Sequence, residues 1–140
     1  MGKQKSAHIE WNGKDLDMTA TFPAGYSLQM AGPADAEGTT PMELLLAGAA
    51  GCTAMDVVSI LQKKREPLVG LELEITAEQA DDHPHVYTEG KIVYVIKGGD
   101  VSPKSVQQAI DLSQTKYCSA SIMLKQSGMA LKAEFRIEAA

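Results

Sequence analysis

Cysteine is scarce in this chain: among its 140 residues, only Cys52 and Cys118 carry a thiol. Small secreted proteins that rely on disulfides need several cysteine pairs, so a disulfide scaffold is excluded. The two cysteines stand far apart in the sequence, and only the folded chain could bring their sulfurs together. Two interpretations are open at this point for each thiol: a small buried hydrophobic side chain, or a partner in redox chemistry.

Familiar catalytic and metal-binding motifs are also missing. The sequence contains no G-x-S-x-G turn, no phosphate-binding P-loop and no G-x-G-x-x-G fingerprint, which excludes the common serine hydrolase and nucleotide-binding patterns. His83 and His85 flank Pro84 in an acidic turn without a nearby cysteine, and they match no recognised metal-ligand spacing. We expect exposed turn histidines and no metal site.

The chain has no excess of positive charge, since its formal net charge is −5 at pH 7. Neither nucleic acid nor an anionic membrane is therefore an expected partner. The opening residues, MGKQKSAHIEW, lack the apolar region of a secretory signal. The uncharged apolar run at residues 44–55 is shorter than the about 20 residues of a membrane span. These features predict a soluble cytoplasmic protein, with one domain over residues 1–140 and a buried apolar helix.

Alternating polar and apolar residues predict strands at both ends of the chain. Three short strands precede residue 31, each with one buried face, and Asn12-Gly13 predicts a two-residue hairpin turn between the first two. Residues 31–40, AGPADAEGTT, have the composition of a loop. Further strands are predicted over residues 71–76, 86–96 and 131–138.

A strong helix start follows the predicted loop. Thr40 is the expected N-cap, Pro41 the first helical residue, and Glu43 the reciprocal partner in a capping box. The helix is expected to end near Arg65, because Pro67 cannot continue it.

The second half of the chain also contains helical signals. Ser102-Pro103 predicts the start of a helix, residues 116–119 a break, and Gly128 the end of a second short helix. The resulting order is βββ-α-ββ-α(α)-β. That order predicts an α+β fold in which long helices pack against antiparallel sheets.

The surroundings of the two cysteines leave both interpretations open. Gly48 and Gly51 lie inside the first helix at a cost of about 1 kcal/mol each, which predicts close approach of another helix or a partner subunit. Asp56 follows Cys52 by one turn and would disfavour a thiolate there if it faces the same site. Cys118 lies at the predicted helix break, where free amide donors would favour a thiolate.

Two motifs together resemble a known family. The segment TPMELLLAGAAGCTAMDVVSIL, followed much later by DLSQTKYCSAS, resembles the OsmC/Ohr family of organic hydroperoxide reductases, and within it the YhfA-like branch. The resemblance covers nearly the whole chain. It implies an OsmC-like intertwined homodimer, with long central helices enclosed by sheets from both chains and active sites at the dimer interface.

The resemblance also implies a chemistry. Cys52 would be the peroxidatic thiolate that attacks an organic hydroperoxide and becomes a sulfenic acid. Cys118 would condense with it to a disulfide, and an external dithiol reductant would restore both thiols. No metal, haem or flavin cofactor is implied. The expected function is a thiol-dependent peroxidase in the stress response, and the alternative is a non-enzymatic dimer that binds a small apolar ligand or senses oxidants.

The chain departs from that family pattern beside the reactive thiol. The better-known enzymes pair the thiolate with an arginine from the N-terminal strands and a glutamate directly after the helix-starting proline. Both arginines of this chain, Arg65 and Arg136, lie elsewhere, so Lys14 is the nearest cationic candidate. Met42 takes the position after the proline, and Glu43 comes one residue later, about 100° further around the helix. Lys14 and Glu43 are therefore the candidate partners of Cys52.

Overall fold

A computed structural model describes residues 2–32 and 38–140 of the chain. Two compact units are distinguished, residues 1–44 and residues 45–140. Residues 33–37, in the middle of the predicted loop, lie outside the described residues. The single domain over residues 1–140 stays a prediction.

The first unit contains the three predicted short strands as one antiparallel sheet. Its strands are β1 (His8–Trp11), β2 (Met18–Thr21) and β3 (Ser27–Met30), in the order β1-β2-β3. The predicted buried face is found in β2, where Ala20 is buried. It is not found in β1, because all four of its residues are exposed.

The hairpin between β1 and β2 is longer than the predicted two-residue turn. Trp11 pairs with Met18, so the loop covers residues 12–17. The Asn12 backbone N–H donates to the Asp17 carbonyl at 2.9 Å, and the Asn12 side-chain amide donates to the Asp17 carboxylate at 2.9 Å. These two bonds close a wider loop, in which Gly13 takes the positive φ of 82° that its lack of a side chain allows.

The first helix, α1 (Pro41–Lys63), begins at the predicted capping box. The Thr40 backbone N–H donates to Glu43 Oε1 at 2.9 Å, and the Glu43 N–H donates to Thr40 Oγ1 at 3.2 Å. The helix ends two residues before Arg65, which takes a positive φ of 59°. The start of the helix and its approximate end were therefore predictable from local sequence.

One stripe of α1 is buried, and most of its surface is not. The fully buried residues are spaced four apart: Ala49, Thr53, Val57 and Leu61. Met55 is 75% exposed, and a side-chain carbon added at Gly48 or Gly51 would meet no described atom within 4 Å. Within one chain, the helix that was predicted to be buried therefore has one buried stripe. By length and hydropathy α1 could also cross a membrane, which is weak evidence because core helices of soluble proteins pass the same test.

The second unit is built on a mixed sheet. Its strands are β4 (Gly70–Gln79), β5 (Tyr87–Lys97) and β6 (Ala130–Glu138), in the order β4-β5-β6. The β4–β5 pair is antiparallel as predicted, but β6 runs parallel to β5. The long helical connection explains the difference, because it returns the chain to the beginning of β5 before β6 starts.

The connection from β5 to β6 is helical in three parts. They are α2 (Pro103–Leu112), a π-helical segment (Ser113–Tyr117) and α3 (Ser119–Gln126). Ser102 caps α2 by accepting the Ser105 N–H at 3.4 Å, as predicted. The predicted break is also confirmed, with Cys118 standing between the π-helical segment and α3. The buried core joins α1, β5 and α2 through these residues: Val57, Leu61, Ile92, Tyr94, Ile96, Val101, Val106, Ala109 and Ile110.

Candidate functional site

Cys52 and Cys118 come together in the second unit, although nothing in their local sequence required it. The two Sγ atoms and a carboxylate oxygen of Asp56 all lie within 4.8 Å of one another. Neither cysteine forms a disulfide. Cys52 and Asp56 are one turn apart on α1, and Cys118 is the N-cap of α3. Asp56 therefore faces the same site as Cys52.

Cys118 is completely buried and hydrogen-bonded at the start of α3. Its thiol donates to Ser121 Oγ at 3.0 Å, and its sulfur accepts the Ser121 backbone N–H at 3.4 Å. The Ala49 carbonyl lies 3.8 Å from the same sulfur. The Cys118 backbone N–H donates to the Ser113 carbonyl at 2.7 Å, which holds the residue against the preceding segment.

Burial, and not the helix start, decides the protonation of Cys118. Loss of solvent raises the pKa of the Cys118 thiol, and the nearby Cys52 raises it further. The two hydrogen bonds with Ser121 act in the opposite direction and are outweighed. The predicted amide donors are present, yet Cys118 is held as a protonated thiol.

Cys52 is the more accessible of the two sulfurs. It is half-buried on α1, whereas Cys118 has no solvent-accessible surface. Gly51 precedes Cys52 and leaves open space at its own Cβ position. A reagent arriving from solvent therefore reaches Cys52 before Cys118.

A buried polar network lies behind the two cysteines. Thr53 Oγ1 is 2.7 Å from the Tyr94 hydroxyl and 2.7 Å from Ser113 Oγ. Gln114 Nε2 donates to Thr53 Oγ1 and to the Tyr94 hydroxyl, both at 3.1 Å. Ser113 Oγ donates to Asp56 Oδ2 at 2.9 Å. Burial raises the pKa of Tyr94, so these hydroxyls act as neutral partners that hold α1, β5 and the π-helical segment in register.

The network reaches Cys118 through Gln114 and Ser121. Gln114 Nε2 lies 3.3 Å from Ser121 Oγ, the oxygen that accepts the Cys118 thiol hydrogen. The Lys125 ammonium donates to the Gln114 backbone carbonyl at 2.9 Å. Burial lowers the pKa of Lys125, and interaction with Cys118 opposes that change. Hydrogen bonds thus run without interruption from the Asp56 carboxylate to the Cys118 sulfur.

Glu43 and Lys14, the other candidate site residues, belong to the first unit. Glu43 is exposed, and hydrogen bonds from the Thr40 backbone N–H and hydroxyl lower the pKa of its carboxyl. Lys14 is exposed in the loop at residues 12–17. The capping role of Glu43 is confirmed, while the role of either residue beside Cys52 stays a prediction.

The prediction that the two histidines are exposed in a turn is confirmed. His83 and His85 are exposed in the turn between β4 and β5, with their ring centroids 4.1 Å apart.

Sequence reasoning missed the polar network as a whole. Thr53 and Tyr94 lie in apolar segments that read as ordinary core. Ser113 and Gln114 lie in the polar run SQTKY directly before Cys118, and that run was the available signal.

Comparison with known proteins identifies the family to which this chain belongs. A family model described as OsmC-like protein matches residues 33–134. Protein YhfA of Escherichia coli K12 is 35% identical over 121 residues, which cover 86% of this chain and 90% of that protein. The chain belongs to the OsmC family.

Solved structures agree with this assignment. A hypothetical protein of Aquifex aeolicus VF5 has a TM-score of 0.88 and 29% identity, with 99% of each chain covered. An OsmC-like protein of Mycoplasma pneumoniae has a TM-score of 0.83 at 19% identity, covering 98% of this chain and 99% of its own. An organic hydroperoxide resistance protein of Elizabethkingia anophelis has a TM-score of 0.75 at 13% identity, covering 99% of this chain and 100% of its own. The last two likenesses establish the shared α+β fold alone, and the OsmC/Ohr family is associated with hydroperoxide resistance.

Proposed function

We propose that this OsmC-family protein is a cytoplasmic thiol-dependent peroxidase that reduces organic hydroperoxides, with Cys52 and Cys118 as its redox couple. The observation that carries the proposal is the approach of the two free sulfurs to within 4.8 Å from distant parts of the chain. The association of the family with hydroperoxide resistance supports the choice of substrate.

The first step belongs to Cys52, because its sulfur is the accessible one. The Cys52 thiolate attacks the distal oxygen of the hydroperoxide and the O–O bond breaks. The alkoxide leaves and takes a proton to become an alcohol, and Cys52 is oxidised to a sulfenic acid. One hydroperoxide is thereby reduced by two electrons.

The second step belongs to Cys118, whose buried thiol lies beside Cys52. The Cys118 sulfur attacks the sulfenic sulfur, the S–O bond breaks, and water leaves with the Cys118 proton. The S–S bond of a disulfide is about 2.05 Å, so the sulfurs close the remaining gap as the bond forms. An external dithiol then reduces the disulfide by two successive exchange reactions.

A homodimer is part of the proposal. The exposed strip of α1 around Gly48, Gly51 and Met55 is apolar or free of side chains, and such a strip suits close packing against a second copy. Within the dimer, Lys14 and Glu43 are the residues proposed to assist Cys52. Neither nucleic acid nor membrane is a proposed partner.

The peroxidase activity is tested by stopped-flow reaction of the reduced protein with a small molar excess of cumene hydroperoxide. We expect wild-type protein to lose both free thiols and form one internal disulfide. Cys52→Ser is expected to lose the reaction, and Cys118→Ser to consume one equivalent and stop as a sulfenic acid. Ser119→Ala, an exposed neighbour of Cys118, is the matched control and should react like wild type. No disulfide in treated wild type, together with full turnover in Cys52→Ser, would disprove the proposal.

A non-enzymatic dimer that binds a small apolar ligand or senses oxidants is the second candidate. The positions of Arg65 and Arg136 favour it, because the family's N-terminal arginine has no counterpart here. Alkylation of Cys52 by iodoacetamide, followed by mass spectrometry, separates the peroxidase from a dimer that only binds a ligand. An activated thiol reacts readily at neutral pH, whereas an ordinary thiol requires alkaline conditions.

A further inference from the structure

Three possible metal-ligand atoms lie close together in this site, one each from Cys52, Asp56 and Cys118. This grouping suggests a second property of the site. The two sulfurs and one carboxylate oxygen all lie within 4.8 Å of one another. In a tetrahedral zinc site, Zn–S bonds of about 2.3 Å and Zn–O bonds of about 2.1 Å place neighbouring ligand atoms about 3.5–3.8 Å apart. A contraction of about 1 Å between ligand atoms therefore suffices to enclose a cation of that size.

We propose that the reduced protein binds one soft divalent cation of the zinc type through Cys52 Sγ, Cys118 Sγ and Asp56 Oδ. Two thiolates and one carboxylate select zinc-like ions over magnesium or calcium, because the latter prefer all-oxygen ligands. Three protein ligands leave the fourth tetrahedral position for water or another small ligand.

The surroundings of the ligand atoms support this site. Ser113 Oγ donates to Asp56 Oδ2 at 2.9 Å, which orients the carboxylate from outside. The Ser121 backbone N–H points at the Cys118 sulfur at 3.4 Å. Such outer hydrogen bonds hold ligands in place and tune their basicity. The three ligand residues also stand on helical segments of one unit, α1 and the start of α3, so their backbones are fixed.

Binding the cation displaces the thiol protons and occupies the sulfur of Cys52. One consequence rests on the proposed peroxidase function. If that function holds, the cation and the hydroperoxide compete for the Cys52 sulfur. Oxidation of the pair by a hydroperoxide removes two electrons and both thiolate ligands together, so the disulfide form releases the cation. The site would then hold metal only while the protein is reduced.

Titration of metal-free reduced protein with Cd²⁺ alone tests the site, because thiolate coordination produces a charge-transfer band in the ultraviolet. We expect saturation at one Cd²⁺ per chain and displacement by Zn²⁺. Cys52→Ser, Cys118→Ser and Asp56→Asn should each weaken binding by at least about 10-fold. Asp111→Asn is the matched control and should bind like wild type, because Asp111 is an exposed carboxylate on α2.

Three results would overturn the metal site: an unchanged Cd²⁺ affinity in Asp56→Asn, binding that persists after both thiols are alkylated, or no binding by reduced wild type. Asp56→Asn decides the question if Cys118→Ser fails to fold, as judged by circular dichroism. The cumene hydroperoxide assay is run separately with a chelator present. Turnover without Cd²⁺ binding rejects the metal site alone, and Cd²⁺ binding without turnover rejects the proposed peroxidase alone.

Discussion

At the scale of single residues, the environment of Cys118 shows how burial and local hydrogen bonds compete. The residue caps α3 and receives the Ser121 N–H, which by itself favours a thiolate. Complete burial is the larger effect, and it raises the pKa of the Cys118 thiol. The half-buried ammonium of Lys125 lies on the same helix but is directed to the Gln114 carbonyl. Cys118 is therefore suited to act second, after the more accessible thiol of Cys52 has reacted.

Ser121 provides the residue-scale prediction. Its hydroxyl accepts the Cys118 thiol at 3.0 Å and lies 3.3 Å from Gln114 Nε2. Ser121→Ala removes this buried acceptor and should lower the free energy of unfolding by about 1–3 kcal/mol. Urea denaturation of the reduced protein measures the change. Ser119→Ala is the control and should stay within about 0.5 kcal/mol of wild type. An equal stability of both variants would show that the Ser121 hydroxyl contributes nothing.

At the scale of secondary-structure elements, charged side chains join the last strand to its neighbour. Glu138 at the end of β6 bonds Arg136 Nε at 2.7 Å and Lys97 Nζ of β5 at 2.8 Å. The parallel pairing of β5 and β6 places Lys97 directly beside Glu138. The hydrogen bonds from Arg136 and Lys97 lower the pKa of Glu138 from 4.5 to about 2.

The lowered pKa of Glu138 gives a pH prediction with a definite sign. A carboxyl group whose pKa is lower in the folded state stabilises the fold above its unfolded pKa of 4.5. That contribution is lost as the pH falls from 4.5 towards about 2. Thermal unfolding across this range should therefore depend less on pH in Glu138→Gln than in wild type. Glu134→Gln, on the same strand with a longer 3.8 Å contact to Lys91, is the control. Identical pH profiles for Glu138→Gln and wild type would contradict the prediction.

At the scale of the whole molecule, the exposed surface of α1 is the feature that one chain leaves unexplained. Only 22% of an apolar 18-residue stretch of this helix is buried within one chain, although the helix is strongly hydrophobic. Water-exposed apolar surface of this kind marks an interface. The two glycines on the same helix reduce its helical propensity and would be tolerated where another backbone comes close.

The predicted homodimer can be tested through Met55, which is 75% exposed. Met55→Lys places a charge on the apolar strip and should shift the protein from dimer to monomer. Analytical ultracentrifugation over a range of concentrations measures the effect. Gln126→Lys, an exposed change at the end of α3, adds the same charge and should leave the dimer intact. A monomeric wild type, or a Met55→Lys variant that dimerises equally well, would contradict the prediction.

Most boundaries of the helices and strands could be predicted from the sequence, because they depend on local chemistry. The capping box at Thr40 and Glu43, the proline start after Ser102 and the break before α3 all depend on neighbouring residues, and all were predictable. The resemblance to the OsmC family likewise came from contiguous motifs around the two cysteines. The hairpin after β1 was an exception, because Asn12 bonds to Asp17 across a longer loop and not across a two-residue turn.

Only the tertiary structure decided which distant groups meet. The direction of β6 depends on where a long helical connection returns the chain, and no local pattern encodes that return. The approach of Cys52, Asp56 and Cys118, and the hydrogen bonds that join Thr53 and Tyr94 behind them, depend in the same way on packing between α1, β5 and α3. The two thiols could be identified from the sequence. Packing determined that one is accessible and the other buried, and it placed a carboxylate beside both.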